Sequence, residues 1–339
     1  MTKKRRPVVA LRSAVRRLRM ARPRPKWSAV RWAGARWAKR RPSKLNAAAA
    51  ALLHPKGRFG RKRGPALPVS HYEEPEVLVS ADGRFEIRLT RDPVDIAGAQ
   101  ALRYRVFFEE MGARPNPKMA RLRRDFDDFD NICDHLLVSD MARAPGDQVV
   151  GTYRLLRGDV ARASGGFYTA DEYDIAPFLE RLGPDARVCE IGRSCVHADY
   201  RNNATIQLLW RGLARYYVEH RSTHVMGCAS LPGTDVGALA LPLSFLYHQH
   251  LAPPEIRVRA LPGRFERMDL MAPGDVNERQ ALRVMPPLIK GYLRMGGVVG
   301  DGAVIDRQFH TTDVFVVLPM ASLPEKYHAH FEREAALKT

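Results

Sequence analysis

The chain has 339 residues, 45% of them hydrophobic, enough for a sizeable core in one large or two modest domains. Its formal charge of +18 suggests a nucleic-acid binder until it is located. Residues 1–63 hold 22 Lys or Arg and no acid, so the remaining 33 basic residues face 37 acids and everything beyond Arg63 carries a net −4. The basicity belongs to a tail, and a nucleic-acid-binding reading rests on that tail alone.

The four cysteines (Cys133, Cys189, Cys195, Cys228) have no CxxC spacing, which predicts a reduced, cytoplasmic protein. AAAAALL at 47–53 is far too short to cross a membrane, and Arg12, Arg16 and Arg17 interrupt any export signal. Three tryptophans, Trp27, Trp32 and Trp37, nevertheless lie in the Arg-rich segment, and 11–21 sets Leu11, Ala14, Val15 and Leu18 on one helical face. The tail has three readings: docking on an anionic membrane surface, phosphate neutralisation on nucleic acid, or plain disorder, with Met20 as an alternative start. The expectation is a disordered or partly helical tail whose use is peripheral association with the inner membrane, and no specific nucleic-acid partner. The linker GPALPVSHYEEPEV closes this region near residue 80, giving a tail and linker over 1–80, a catalytic domain over 81–325 and a short tail over 326–339.

From residue 84 the pattern is orderly. FEIRLT (85–90) alternates as a strand, 94–111 reads as a helix, and a charged loop containing DFDDFD leads to strand HLLVSD (135–140). A turn at Pro145-Gly146-Asp147 joins that strand to QVVGTYRLL (148–156) as a hairpin. A short helix near 177–182, strand VCEIGRSCV (188–196), a helix over 205–220, strand HVMGCAS (224–230), helices at 235–250 and PPLIKGYLRM, and strand DVFVVLP (313–319) follow. The order predicts an α/β fold, a mixed twisted sheet with helices on both faces.

VCEIGRSCV sets Glu190 and Arg193 inside an apolar run, where an ion is costly to desolvate. They form either a structural pair bridging two layers or a site. Asp125, Asp127 and Asp130 lie within six residues, Arg154 sits in a hairpin strand, and Arg103 lies four before Phe107. EF-hand spacing and HExxH are absent, so no metal is expected, and without a GxSxG elbow a triad hydrolase is the weaker reading still.

The order Arg103-x-x-x-Phe107, Asp125-x-Asp127-x-x-Asp130, Arg154, Glu190-x-x-Arg193 resembles the acyl-homoserine-lactone autoinducer synthases of the N-acetyltransferase-like (GNAT) superfold, with Asp125 where that family has Glu and Ser194 where it has an aromatic residue. IGRSCVHADYRNNATIQLLWRGL, GCASLPGTD and PPLIKGYLRMGGVVGDGAVID are similar to the ornithine N-acyltransferases of bacterial ornithine-lipid synthesis, over about 84–320. That resemblance implies a GNAT-like fold and transfer of a 3-hydroxyacyl group from acyl carrier protein to the α-amine of L-ornithine, giving lyso-ornithine lipid. A lactone-forming synthase, or an N-acyltransferase for glycine or lysine, is the alternative.

The chemistry needs a free amine, its orientation and an oxyanion partner. Glu190 is the expected general base, with oxyanion contacts from backbone N–H groups where its strand leaves its neighbour. Arg154 and Arg193 are expected to orient Glu190 and the aspartates, or to pair the acceptor carboxylate. Arg103, Asp125, Asp127, Asp130 and Ser194 are the expected substrate-binding residues, the three aspartates through the acceptor's distal ammonium; the alternative for the aspartates is to pin the loop, the role favoured for Asp125. Asp301, Asp306 and Asp313 are further candidate partners for the acceptor's distal ammonium. Arg201, Asn202, Asn203 and Thr205 begin a helix at the donor site, but Ala204 and Ile206 stand where a pyrophosphate cradle would have glycines. The expected donor is therefore phosphopantetheine arriving on its carrier, with Arg211 and Arg215 adding attraction and no separate cofactor.

Overall fold

The computed structural model describes residues 76–80 and 82–325; the basic segment, its tryptophans and 326–339 lie outside the described residues. Strands β1 (Glu76–Val79) and β2 (Phe85–Thr90) come first. Helix α1 (Pro93–Tyr104) follows, started by Asp92, whose side chain accepts from the Val94 N–H, and by Pro93 in the first turn. It then widens into a π-helical turn over Arg105–Glu110 instead of continuing as the one α-helix that 94–111 predicts. Helix α2 (Pro117–Leu122) and a 3₁₀ turn at Asp128–Asn131 lead to the hairpin of β3 (Asp134–Asp140) and β4 (Val149–Arg157).

Helix α3 (Gly158–Ala163), a turn at Tyr168–Asp171, β5 (Tyr173–Asp174) and α4 (Ala176–Leu182) precede β6, which occupies Val188–Val196 as the sequence predicts. Then come α5 (Asn203–Glu219), β7 (His224–Pro232), α6 (Ala240–His250), β8 (Arg259–Ala260), α7 (Glu278–Val284), α8 (Pro287–Arg294), β9 (Val298–Asp306) and β10 (Thr311–Pro319).

The strands form one mixed sheet in the order β1-β2-β3-β4-β6-β7-β10-β9-β8-β5, in which β6–β7 and β8–β9 are parallel and the other pairs antiparallel. Its faces are covered on both sides, which is why β4, β6 and β10 read as nearly unbroken apolar runs. One core packs Leu136, Leu155 and Ile191 against Leu209, Leu213 and Tyr216 of α5 and Ile289 of α8. The other packs Leu156, Met226 and Phe315 against Val160 of α3 and Phe178 of α4. Edge strand β1 falls within the stretch read as linker, and β5, β8 and β9 add to the strands that the pattern predicts.

Two backbone features in β6 position the site. The β6–β7 ladder runs only from Val188↔His224 to Glu190↔Met226, so the parallel strands part just beyond Glu190. Gly227 sits where they part: a Cβ there would drive into the carbonyl oxygen of Ile191. On the other edge of β6 the register with β4 shifts between Thr152↔Cys195 and Arg154↔Gly192, which leaves Arg193 and Ser194 opposite Tyr153. Arg193 takes φ 49°, a conformation that breaks strand alternation and re-aims its side chain, as bulges beside active sites do.

Candidate active site

Glu190 is buried at the point where β6 leaves β7. Its two oxygens accept backbone N–H groups from the turn after Gly165-Gly166: Thr169 N to Oε1 at 2.7 Å and Tyr168 N to Oε2 at 3.0 Å. Burial pushes its carboxyl above the usual range, against the pull of the Thr169 and Tyr168 hydrogen bonds and of Arg154. A carboxyl so placed is a stronger base than an exposed one and stays aimed, which suits proton abstraction from an amine.

Arg193 and Arg154 do not pair with Glu190, the arrangement that the sequence spacing suggests. They turn to the acidic loop. Arg193 Nη2 donates to Asp127 Oδ2 at 3.1 Å and Arg154 Nη1 to Asp130 Oδ1 at 3.3 Å, with a second bond to Asp127. Arg103, fully buried on α1, closes the network through Asp125 Oδ2 at 2.7 Å and Asp130 at 2.8 and 2.9 Å. The loop is folded for this: Asp127 caps the turn at Asp128–Asn131, accepting from Phe129 N, while Asp130 accepts from Asp127 N. Burial raises the Asp127 and Asp130 carboxyls, but the facing arginines outweigh it and hold both below the ordinary carboxylate range.

The structure therefore brings Arg103, Asp125, Asp127, Asp130, Arg154 and Arg193 together, as their recurrence in apolar settings suggests. It corrects the expectation that Arg103 and Asp130 meet the substrate, and Asp125 lies with them in the loop-pinning position. These three are buried and do not line the cleft beside Glu190, so they hold the loop and the arginines in place. Arg154 and Arg193 do reach the cleft, stacked over the Tyr168 ring at 5.4 and 4.9 Å. Tyr168 and Thr169 had no counterpart in the sequence reading; the paired glycines before an aromatic run were their only signal.

The cleft encloses about 740 Å³ and runs from Glu190, Arg193 and Asp313 past Ser194 and Trp210 to Arg201 and Ile206. An apolar pocket of about 40 Å³ adjoins it in the gap between β6 and β7, sharing Ile191, Trp210, Cys228 and Tyr292. At the far end Arg201 donates to Val196 O at 3.1 Å and pairs with Glu110. Asn202 caps α5 by accepting from Thr205 N at 3.0 Å, which uses the Asn202 oxygen and buries Thr205 away from a donor; the Asn203 side chain lies outside the described residues. Arg215 is buried as well, so it adds no surface charge for a carrier. Among the described residues one acidic group is close enough to share a cation: Glu172, Asp306 and Asp313, whose carboxylate oxygens lie within 4.8 Å of one another.

A buried carboxylate at a parting of parallel strands, beside a long and mainly apolar cleft, suits an acyltransferase of the GNAT type, and residues 102–211 match the family model described as an acetyltransferase (GNAT) domain. Over 265 residues the chain is 48% identical to the L-ornithine N(alpha)-acyltransferase of Agrobacterium fabrum (78% of this chain, 90% of the relative). It is likewise 48% identical over 261 residues to the enzyme of that name from Brucella abortus (76% and 92%). The chain belongs to the L-ornithine N(alpha)-acyltransferase family and is an N-acyltransferase. The acyl-homoserine-lactone synthase LasI aligns with 70% of this chain and 93% of its own at 14% identity and a TM-score of 0.34, a likeness too weak to bear on function.

Proposed function

We propose that this enzyme transfers a 3-hydroxyacyl group from acyl carrier protein to the α-amine of L-ornithine, yielding lyso-ornithine lipid. The observation that carries the mechanism is Glu190, aimed into the cleft at the β6–β7 gap by two backbone N–H groups. The amine nitrogen attacks the thioester carbon and gives its proton to Glu190, directly or through one water. The carbon–sulfur bond then breaks and the phosphopantetheine thiolate leaves, taking up that proton. Backbone N–H groups of β6 beyond Glu190, where no β6–β7 pairing is made among the described residues, are the candidate partners for the oxyanion. Acceptor chemistry favours the α-nitrogen: with ordinary values of about 8 and 10.4, it is roughly two hundredfold more often unprotonated at neutral pH than a distal amine.

The acyl chain is assigned to the apolar length of the cleft, with the small apolar pocket under α5 and α8 that adjoins it at Ile191 and Trp210 taking only a short part of it. Carrier-bound donor is favoured over coenzyme A by the absence of a glycine cradle at the start of α5, where Ile206 lines the cleft instead. No separate cofactor is required. The basic segment 1–63 is assigned to an anionic membrane surface, where the product must go and where its Arg and Trp content is at home; no helix among the described residues is long and apolar enough to cross a membrane.

The test is reconstitution with purified protein: 3-hydroxyacyl carrier or the matching acyl-CoA as donor, and L-ornithine, L-lysine or glycine as acceptor, with products read by mass spectrometry. The account expects N-acylornithine, formed with a much higher kcat/KM from the carrier. Equal use of acyl-CoA removes the carrier from the account, and glycine or lysine outcompeting ornithine reassigns the acceptor.

A further inference from the structure

Glu190 is not the only acidic feature of this face of the sheet. Glu190 is in register with Met226, Asp313 with Ser230 and Asp306 with Thr311. Because Met226 and Ser230 lie at even spacing on β7, and Thr311 and Asp313 on β10, these pairings set Glu190, Asp306 and Asp313 on one side. Glu172, from the loop before β5, meets them there.

The two sites are linked through Thr169 and Cys228. Thr169 donates its N–H to Glu190 Oε1 at 2.7 Å, and the Cys228 thiol lies 3.8 Å from Thr169 Oγ1 and donates to Glu172 Oε2 at 3.3 Å. Asp313 lines the cleft, 93% buried and 7% exposed; Ser230 and Thr311 are close enough to act on its carboxyl, but its Oδ1 makes no hydrogen bond of ordinary geometry. Against three carboxylates, Arg264 supplies one guanidinium at 3.2 Å from Glu172. A buried carboxylate oxygen without a well-aligned donor, facing two more carboxylates, is an unmet demand for a cation.

We propose that Glu172, Asp306 and Asp313 bind the distal ammonium of the acceptor amino acid and so act as its specificity determinant. The proposal rests on the reading that the acceptor is ornithine. An ammonium carries three donors and no acceptor, which suits three converging carboxylates. The position also fits: the cluster lies beside the base that must meet the other amine of the same short molecule. A second cavity of about 490 Å³, lined by Glu172, Arg264 and Glu266 and meeting the cleft at Tyr168 and Asp306, gives such an acceptor an entrance apart from the donor end. Burial raises Glu172 to about 7 and Asp313 to about 6, as expected of carboxylates awaiting a countercharge. A site built this way rejects an acceptor lacking the ammonium, because its own buried groups are then left unpaired.

The experiment compares L-ornithine with L-norvaline, which has the same carbon skeleton without the distal amine, using one carrier-bound donor. For wild type, Asp313→Asn and Glu172→Gln, the quantity read is the ratio of kcat/KM for the two acceptors. Wild type is expected to favour ornithine by about a hundredfold or more, and each variant to lose at least about tenfold of that ratio through a higher KM for ornithine. An unchanged ratio in folded variants, with wild type still acylating ornithine, overturns the cluster assignment and leaves the ornithine reading standing. Failure of wild type to acylate ornithine at all sinks that reading instead. Should the variants not fold, thermal melting of wild type decides: stabilisation by ornithine and not by norvaline supports the proposal, and equal stabilisation overturns it. Activity lost to EDTA and restored by Mg²⁺ or Mn²⁺ would give the cluster to a metal and overturn it as well; full activity in EDTA is expected.

Discussion

Arg103 Nε donates to Asp125 Oδ2 at 2.7 Å with both side chains buried, so the acidic loop is tied to α1 by an ion pair that no substrate reaches. Removing Arg103 takes the main counter-charge from two buried carboxylates, Asp125 and Asp130, which costs about 3–5 kcal/mol, whereas removing Asp125 leaves Arg103 still paired with Asp130. Arg103→Ala is expected to lower urea stability by that amount, and Asp125→Ala by less, about 1–3 kcal/mol. A loss below about 1 kcal/mol for either would show that the network is not what holds the loop.

Glu172 and Asp313 give stability a distinctive pH dependence. Burial and then Asp313 raise Glu172, with Asp306 adding and Cys228 and Arg264 opposing; burial raises Asp313, with Ser230, Thr311 and Arg193 opposing and Asp306 adding. A carboxyl raised in the folded state favours folding while protonated. Its contribution is complete below about pH 4 and is lost as pH climbs through about 6 for Asp313 and about 7 for Glu172. Unliganded wild type should therefore lose about 1–3 kcal/mol relative to the Glu172→Gln/Asp313→Asn double variant between about pH 5 and 8, measured by urea unfolding. His135 and His220, both held down to about 4 mainly by burial, are common to the two proteins and cancel. A stability difference that stays constant over that range would contradict the assignment.

Gly227 is expected to tolerate no side chain, because a Cβ would meet the Ile191 carbonyl at the mouth of the apolar pocket. Gly227→Ala should destabilise by about 1–3 kcal/mol and lower kcat/KM for long acyl donors more than for short ones. A variant with unaltered melting and unaltered chain-length preference would remove the β6–β7 gap from the acyl path.

Much of the sheet was legible because its strands are covered on both faces and their apolar runs are therefore unbroken, as in Val188–Val196. β9 was not, because Gly300, Asp301 and Gly302 interrupt it. Gly302, at φ 91°, has no room for a Cβ beside the Phe265 ring, a reason invisible without the neighbour. The same holds in the site. Charge inside an apolar strand exposed Glu190 and Arg193, but which partner each takes depends on the bulge opposite Tyr153 and on the turn at Tyr168, and spacing along the chain encodes neither. Asp306 and Asp313 were recognisable as acids near one end; their meeting with Glu172 is a product of register.

The most direct measurement is the turnover of Glu190→Gln with a carrier-bound 3-hydroxyacyl donor and saturating L-ornithine. Gln keeps one acceptor oxygen, so one of the Tyr168 and Thr169 N–H groups loses its partner, and the assay must run well below the variant's melting temperature. The account expects kcat to fall about 10²–10⁴-fold in a protein that still melts cooperatively. Turnover within a few fold of wild type by the folded variant would contradict it.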